Sequence, residues 1–369
     1  MQDARHGLKS VWDARIARTG TGFRPSKPPE SRPAPPRAVK PARVQAAATS
    51  GRCEDSAVGR RNGRSTQAQV GQARRIAPTI LASYTDFNPW RATCKTDLEQ
   101  ANPVHPVAPC LLEGPGPAVA FYGDSHADAL QGGLFPLAER AGFRFYSVTR
   151  SSCPPVTGLT RTPGGDDACD DFVRGVEDYL ASADFPVVVL AARWSAGLAD
   201  AAFDNGEGGV DPRPNDVLTP LGASPTGDPD RIRLVVARYV ETIERLLAAG
   251  HRIVLIYPIP EAGWNVPEEL ARRREAAGHP VTLSTPRAAY DARHAAVIAA
   301  FDAIDDPRVF RVRPADLLCD TLVPGRCVNS IGDQPLYFDD DHLNNTGALL
   351  VGERILAAIE EARRDAAGG

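Results

Sequence analysis

The strongest constraint on the fold is a helix followed by a strand in the second half of the chain. Residues 230–249 repeat apolar side chains three and four positions apart, as an amphipathic helix does, and Gly250 follows them. Residues 252–257 form a short, nearly continuous apolar run, which is typical of a strand buried on both faces. Together with the apolar run at 185–192, these segments predict a βαβ unit and therefore a parallel sheet.

The same alternation continues through the chain from Pro117 onward. Strands are predicted at 118–122, 143–148, 185–192, 252–257 and 309–312. Helices are predicted at 126–141, 172–181, 230–249, 286–304 and 347–362. Five strands with intervening helices indicate an α/β protein. We expect a three-layer α/β/α sandwich around a five-stranded parallel sheet of flavodoxin-like order.

Charge divides the 369 residues into a basic segment and an acidic body. Residues 1–80 contain 16 Lys plus Arg against 5 Asp plus Glu, which leaves 26 against 41 for the remainder. The basic segment is rich in Pro, Gly, Ser and Arg and has few large apolar side chains, so it is predicted to be a disordered tail or linker. It lacks the interleaved aromatic residues of a nucleic-acid-binding module, and we expect no nucleic-acid partner. No apolar run in the chain is long enough to predict a membrane-spanning helix.

Residues 81–116 are interpreted as an ordered extension, and residues 117–369 as the main domain. Six of the seven cysteines form local couples: Cys94 with Cys110, Cys153 with Cys169, and Cys319 with Cys327. None of these spacings is that of a metal site, and the intervening segments are loop-like, so loop-closing disulfides are favoured over reduced thiols. The first residues lack the pattern of a signal peptide, which conflicts with an oxidising compartment.

The first cluster with chemical potential is Gly123-Asp124-Ser125-His126, directly after the first predicted strand. The carboxyl ends of the strands in such a sheet form the ligand crevice. A serine that opens the first helix would lie beside backbone N–H groups and the positive end of the helix dipole. These groups stabilise an oxyanion that forms when Ser125 attacks a carbonyl. The alternative is that this cluster only caps the helix.

The second cluster is residues 338–344, Phe-Asp-Asp-Asp-His-Leu-Asn, just before the last predicted helix. Its spacing allows Asp339 to orient the imidazole of His342, which would take the Ser125 proton as general base. One alternative is a solvated acidic loop with a surface histidine. Another is a divalent metal on the three aspartates, but adjacent carboxylates in a loop do not define a cage. We therefore expect neither a metal nor a cofactor.

Together the two clusters resemble the SGNH hydrolase superfamily, in which a Gly-Asp-Ser block follows strand one and an Asp-x-x-His block precedes the last helix. The match is closer to the SGNH domain appended to bacterial membrane O-acyltransferases. Four ordered segments carry it: residues 123–127 (GDSHA), 152–155 (SCPP), 188–194 (VVLAARW) and 337–343 (YFDDDHL).

The resemblance implies an SGNH fold, with Ser125, His342 and Asp339 as the catalytic residues. It implies a periplasmic or extracytoplasmic, membrane-associated protein that works with a membrane acyltransferase domain or protein, and it would explain the disulfide-like cysteines. We expect O-acyl transfer, most simply of acetyl, from an acyl donor to a cell-surface carbohydrate acceptor through an acyl-serine intermediate. The alternatives are a carbohydrate O-acetylesterase and a non-catalytic glycan-binding module.

The sequence departs from the superfamily pattern at the oxyanion hole. The usual Gly-x-Asn-Asp block after the third strand is replaced by Ala-Arg-Trp-Ser at residues 192–195. Asn215 lies in a Pro-rich stretch and is not assigned the missing role. Candidate oxyanion or substrate-binding residues are Gly123, Asp124, Arg193 and Trp194. For the last two, the Arg193 side chain or the Trp194 indole N–H would supply a donor, unless both are structural anchors at the strand end.

Overall fold

The computed structural model describes residues 76–96, 111–112, 114–162, 167–198, 202–211 and 217–368. The first elements are α1 (Pro78–Ser83), α2 (Arg91–Cys94), β1 (Lys95–Thr96), β2 (Leu111–Leu112), β3 (Ala118–Gly123), α3 (Ser125–Arg140), β4 (Arg144–Arg150), β5 (Leu159–Thr162), α4 (Asp167–Ser182) and β6 (Val187–Ala191). The later ones are β7 (Val217–Pro220), α5 (Asp228–Ala248), β8 (Arg252–Ile256), α6 (Val266–Ala277), β9 (Ser284–Pro286), α7 (Arg287–Asp302), β10 (Val309–Val312), α8 (Ala315–Leu318), β11 (Arg326–Val328), β12 (Ser330–Ile331), β13 (Gln334–Pro335) and α9 (Asn345–Gly368).

The central sheet has the predicted five parallel strands, in the order β4-β3-β6-β8-β10. This order is flavodoxin-like, and the predicted fold class is confirmed. Two short strands extend the sheet beyond the prediction, because β1 pairs parallel and β2 antiparallel with the outer edge of β4. Gly123, the last residue of β3, lies opposite Thr149 in β4 and Ala191 in β6. The ends of three adjacent strands therefore meet at one edge.

The strands are apolar throughout because helices cover both faces of the sheet. In β6, Val187 and Val189 belong to one core with α3 and α9, whereas Val188 and Leu190 belong to a second core with α4, α5 and α7. The alternation of side chains along a strand produces these two cores. The result is the predicted three-layer sandwich.

Helices α3 and α9 cross closely. A Cβ atom on Gly133 of α3 would lie 2.2 Å from the backbone nitrogen of Leu349 in α9, so only glycine fits there. Helix α3 begins at Ser125, and α9 begins three residues after His342. The close crossing therefore fixes the two sequence clusters relative to each other.

Several short elements were not predicted from the sequence. Helix α6 buries only Val266, Pro267 and Leu270, so its apolar face is too narrow to be recognised from periodicity. The paired strands β5 and β7, β9 and β11, and β12 and β13 are two to four residues long. The ordered part also begins earlier than residue 81, because Ile80 of α1 is fully buried in the core.

Two predicted cysteine couples are disulfides, Cys153 with Cys169 and Cys319 with Cys327. Cys94 is also disulfide-bonded, and its predicted partner Cys110 lies outside the described residues. The predicted tail falls almost wholly on residues 1–75, which are outside them too, and it stays a prediction. In the described part of the chain, no helix combines the length and apolar character needed to cross a membrane.

Candidate active site

Ser125 lies at the turn between β3 and α3. Asp124 caps the helix, because its Oδ1 accepts a hydrogen bond of 2.8 Å from the backbone N–H of His126. Its Oδ2 accepts a second bond of 2.9 Å from the backbone N–H of Arg193, just after β6. Asp124 therefore caps the helix and also ties the serine turn to the neighbouring strand.

Gly123 allows that turn to lie against β6. A Cβ atom at this position would be 1.7 Å from the carbonyl oxygen of Ala191 and 2.8 Å from the Cβ of Ala127. Such contacts are far inside van der Waals distance. The glycine is therefore required by the close approach of two backbones, which fixes the position of Ser125.

The acidic loop at residues 339–342 is tightly bonded. Asp339 Oδ1 accepts hydrogen bonds from the backbone N–H groups of His342 and Asp341, at 2.8 and 3.1 Å. The Asp340 carbonyl accepts bonds from the backbone N–H groups of Ala262 and Gly263. His342 is buried. The alternative of a solvated loop with a surface histidine is therefore wrong.

The two clusters meet in one hydrogen-bonded series. His342 Nε2 lies 2.8 Å from Ser125 Oγ, and His342 Nδ1 lies 2.8 Å from Asp339 Oδ2. With the proton on Nδ1, Asp339 accepts it and Nε2 is left to accept the serine proton. This is the geometry of a nucleophile, a base and an orienting carboxylate. Ser125 is also the first residue of α3, where helix geometry leaves backbone N–H groups without intrahelical acceptors.

A second carboxylate also contacts the histidine. Asp341 is fully buried, and its Oδ1 lies 2.7 Å from His342 Nδ1. Its Oδ2 lies 2.8 Å from Arg193 Nε and 3.5 Å from His126 Nε2. His126, the first residue of the helix predicted at 126–141, is thus buried beside Asp341, with its ring centroid 5.0 Å from that of His342. The chain lacks any sequence signal that singles out Asp341 among the three adjacent aspartates.

These charges decide where the proton rests. Burial by itself would lower the pKa of His342, but the carboxylates of Asp341 and Asp339 outweigh burial and raise that pKa above its usual value. Burial would raise the pKa of Asp341, yet His342 and Arg193 hold it well below the usual range. The proton therefore stays on the imidazole and not on the carboxylate.

The candidate roles of Arg193 and Trp194 in an oxyanion hole need correction. The Trp194 indole N–H donates to the carbonyl of Ile256 at 2.8 Å, and the ring is buried in the core. The Arg193 guanidinium is bonded to Asp211, Glu261 and Asp341. The indole and the guanidinium thus make their contacts within the protein at the end of β6, as structural anchors do.

Two groups of side chains have the donor types of a metal site. One is His126, Asp341 and His342, and the other is Asp339, Asp340 and Asp341. In the first group, Arg193 already places a cation 2.8 Å from Asp341, and both nitrogens of His342 contact Ser125 or a carboxylate. A divalent ion there would meet the positive charge of the guanidinium and compete with the serine contact, so these residues fit the bonded series better than a metal centre.

The extension before β1 joins both clusters. Asp86 accepts hydrogen bonds from the backbone N–H groups of Asn345 and Thr346 at the start of α9. Asn88 donates to Asp128 Oδ1 in the first turn of α3, at 2.8 Å. Between them, residue 87 is carried to the edge of the site. The extension therefore belongs to the site's structure, which the sequence did not reveal.

An aromatic rim, formed by Phe87, Phe338 and Arg91, lies beside the histidine. The Phe338 ring stacks on His342 with 10° between the planes and 5.4 Å between centroids. Phe87 contacts Phe338 edge to face at 5.7 Å, and the Arg91 guanidinium lies 5.3 Å from the Phe338 centroid. Phe87 is 37% exposed, so the rim faces solvent.

Comparisons with known proteins identify the family and the fold. The family model described as "SGNH domain (fused to AT3 domains)" matches residues 93–357, most of the chain. The chain belongs to this SGNH family. This family assignment supports an enzyme of acyl transfer or acyl hydrolysis. The predicted resemblance is thereby confirmed.

A solved structure with a similar fold is the periplasmic domain of a lipopolysaccharide acetyltransferase from Salmonella ser. Paratyphi A. It is 15% identical with a TM-score of 0.53, and the match covers 77% of this chain and 98% of that one. A GDSL-like lipase from Bacteroides thetaiotaomicron is 13% identical with a TM-score of 0.35, over 69% of this chain and 93% of its own. No curated protein matches the sequence significantly.

Proposed function

We propose that the protein transfers an acyl group, most simply acetyl, to a hydroxyl of a cell-surface carbohydrate through an acyl-serine intermediate. The observation that carries the proposal is the contact of His342 with Ser125 Oγ on one side and Asp339 on the other. An extracytoplasmic location beside a membrane acyltransferase domain or protein is supported by the family's fusion to AT3 domains and by the disulfides.

The proposed reaction has two halves with the same groups. Ser125 Oγ attacks the carbonyl carbon of the donor ester while its proton passes to His342 Nε2. The oxyanion forms near the backbone N–H of Ser125 at the start of α3, and the leaving group takes the proton from His342. A sugar hydroxyl then attacks the acyl-serine, gives its proton to Nε2, and leaves as the ester while Ser125 is protonated again.

The acceptor decides between transfer and hydrolysis. Water in place of the sugar would release a carboxylic acid, which is the activity of an O-acetylesterase, the second candidate. The aromatic rim favours a sugar, because the C–H face of a pyranose packs on an aromatic ring and Arg91 can donate to its hydroxyls. A bound sugar on this rim would also displace water from the acyl-serine.

The test is ester turnover by the full chain with and without acceptors. We expect release of p-nitrophenol from p-nitrophenyl acetate, with oligosaccharides converted to acetylated products detected by mass spectrometry. Release without any acetylated sugar would favour the esterase. Glycan binding without any turnover would support the non-catalytic module and contradict both enzyme candidates.

The Phe87→Ala variant tests the rim. Loss of an aromatic contact worth about 0.5–1.5 kcal/mol should raise the KM for oligosaccharide acceptors by about threefold to tenfold. The matched control is Leu221→Ala, because Leu221 is 38% exposed and lines a different part of the surface. An acceptor KM that is equal in the two variants would remove the rim from the binding site.

A further inference from the structure

Two carboxylates lie against the same nitrogen of His342. Asp339 Oδ2 accepts a hydrogen bond from Nδ1 at 2.8 Å, and Asp341 Oδ1 is 2.7 Å from the same atom. The two differ in surroundings, because the Asp339 side chain is 29% exposed and that of Asp341 is fully buried. Charge acts more strongly across a buried contact than across a solvated one. The hydrogen bond that orients the His342 ring and the strongest electrostatic field on that ring can therefore come from different carboxylates.

Asp341 is fixed by Arg193. The Nε of Arg193 lies 2.8 Å from Asp341 Oδ2, and its terminal NH2 group contacts Asp211 and Glu261. The planar guanidinium thus contacts carboxylates in two directions at once. These contacts hold the Asp341 carboxylate in one orientation, in which its Oδ1 lies against Nδ1 of His342.

Acidic groups outnumber basic ones in this cluster. Arg193 and Arg293 are its guanidinium groups, with Arg293 Nε 3.3 Å from Glu261. Its carboxylates are Asp211, Glu261, Asp339 and Asp341. Arg193 thus contacts three carboxylates, but its single positive charge can neutralise only one of their negative charges. The excess negative charge favours a proton on the imidazole.

We propose that Asp341, anchored by Arg193, is a second acid of the catalytic machinery that stabilises the positive charge on His342, whereas Asp339 orients the ring. Asp341 is a positioning residue in this sense, since it acts on the substrate only through His342. The assignment rests on the proposed function, in which His342 takes and returns the proton. It explains why the loop contains a buried aspartate next to the histidine.

Other charged or titratable groups also face the imidazole. His126 and Asp128 do so from α3, Arg91 contacts the stacked Phe338 from α2, and Arg193 approaches from the end of β6. Asp128 is bonded to Asn88, and Arg91 Nε lies 3.7 Å from Asp128. Because the charges of Asp128 and Arg91 are opposite and close together, their effects on the imidazole largely cancel. Asp341 and Asp339 therefore have the largest electrostatic effect on the charge of His342.

The experiment compares Asp341→Asn with Asp339→Asn in the full chain. For Asp341→Asn, the acidic limb of kcat/KM for p-nitrophenyl acetate should move about one to three pH units lower, because the protonated imidazole loses an opposing charge. The rate on the alkaline plateau should fall as well, because the imidazolium that forms when Ser125 gives up its proton loses the same opposing charge, so the position of the limb distinguishes the two variants. For Asp339→Asn, the limb should stay above the ordinary histidine range while the plateau falls, because the ring loses its orienting bond.

Two further readouts keep the comparison decisive. NMR titration of the His342 ring in a Ser125→Ala background follows the same shift without turnover, so failure of the serine mechanism and failure of the Asp341 role give different results. If Asp341→Asn does not fold, an acidic limb of kcat/KM that stays above the ordinary histidine range in Asp339→Asn supports the proposal. Two results would overturn the role of Asp341. One is an acidic limb of kcat/KM that falls to the ordinary histidine range in Asp339→Asn. The other is an acidic limb that does not move in a folded Asp341→Asn variant.

Discussion

Ser125→Ala should reduce ester turnover and acyl transfer by about 10³- to 10⁶-fold. The nucleophile would be gone, and only the oxyanion donor and substrate binding would remain to accelerate attack by water. The fold should survive, since the hydrogen bond that the lost hydroxyl makes to His342 is worth only about 1 kcal/mol. Rates with p-nitrophenyl acetate and a thermal melt of the same sample measure both expectations.

His342→Ala gives this prediction its internal check. Serine and histidine act as one unit, so the double variant Ser125→Ala/His342→Ala should be about as slow as either single variant and not slower by the product. Multiplicative losses would mean that the two residues act in separate steps. Full activity in Ser125→Ala would exclude the acyl-serine outright.

Gly123→Ala should damage both folding and catalysis. The added Cβ would lie 1.7 Å from the Ala191 carbonyl oxygen, so β3 and β6 must separate at the point where Ser125 is held. Overpacking against backbone costs at least about 2 kcal/mol, and displacing the nucleophile by about 1 Å costs about a hundredfold in rate. Thermal unfolding and the kcat of the surviving folded protein report the two effects separately.

Gly368→Ala is the matched control for this change. It adds the same methyl group at a glycine near the end of α9, where a Cβ would meet no atom within 4 Å. Its melting temperature and its activity should equal those of the parent protein. Parental stability and activity in Gly123→Ala would show that β3 and β6 tolerate separation and that the glycine has another role.

Most of the central sheet could be predicted from the sequence, because each strand and helix has its own apolar pattern within a short stretch of residues. The helix at 230–249 and the strand at 309–312 can be read from apolar periodicity alone, and the structure has them at 228–248 and 309–312. The contact between Ser125 and His342 could also be expected, since both clusters lie where a parallel sheet of this order collects its strand ends.

Other parts of the site depend on contacts that no local pattern reveals. Three consecutive aspartates look alike in sequence, and only the packing of Arg193 makes Asp341 the buried one. Phe87 comes from an extension about 250 residues before the loop that it contacts, so its place at the rim depends on the bonds of Asp86 and Asn88. The position of Trp194 after β6 is compatible with an oxyanion donor, and only the packing of the indole against β8 directs its N–H to the carbonyl of Ile256.

The most direct test of the account is to trap the acyl-enzyme. The full chain is mixed with p-nitrophenyl acetate, quenched in acid within the first turnovers, digested, and analysed by mass spectrometry beside Ser125→Ala. We expect one acetyl group on the peptide that contains Ser125, lost when an oligosaccharide acceptor is added before the quench, with the acetyl recovered on the sugar. An active parent protein without acetyl on Ser125 would contradict the acyl-serine mechanism. Equal acetyl labelling of the corresponding peptide in the parent and in Ser125→Ala would contradict it too.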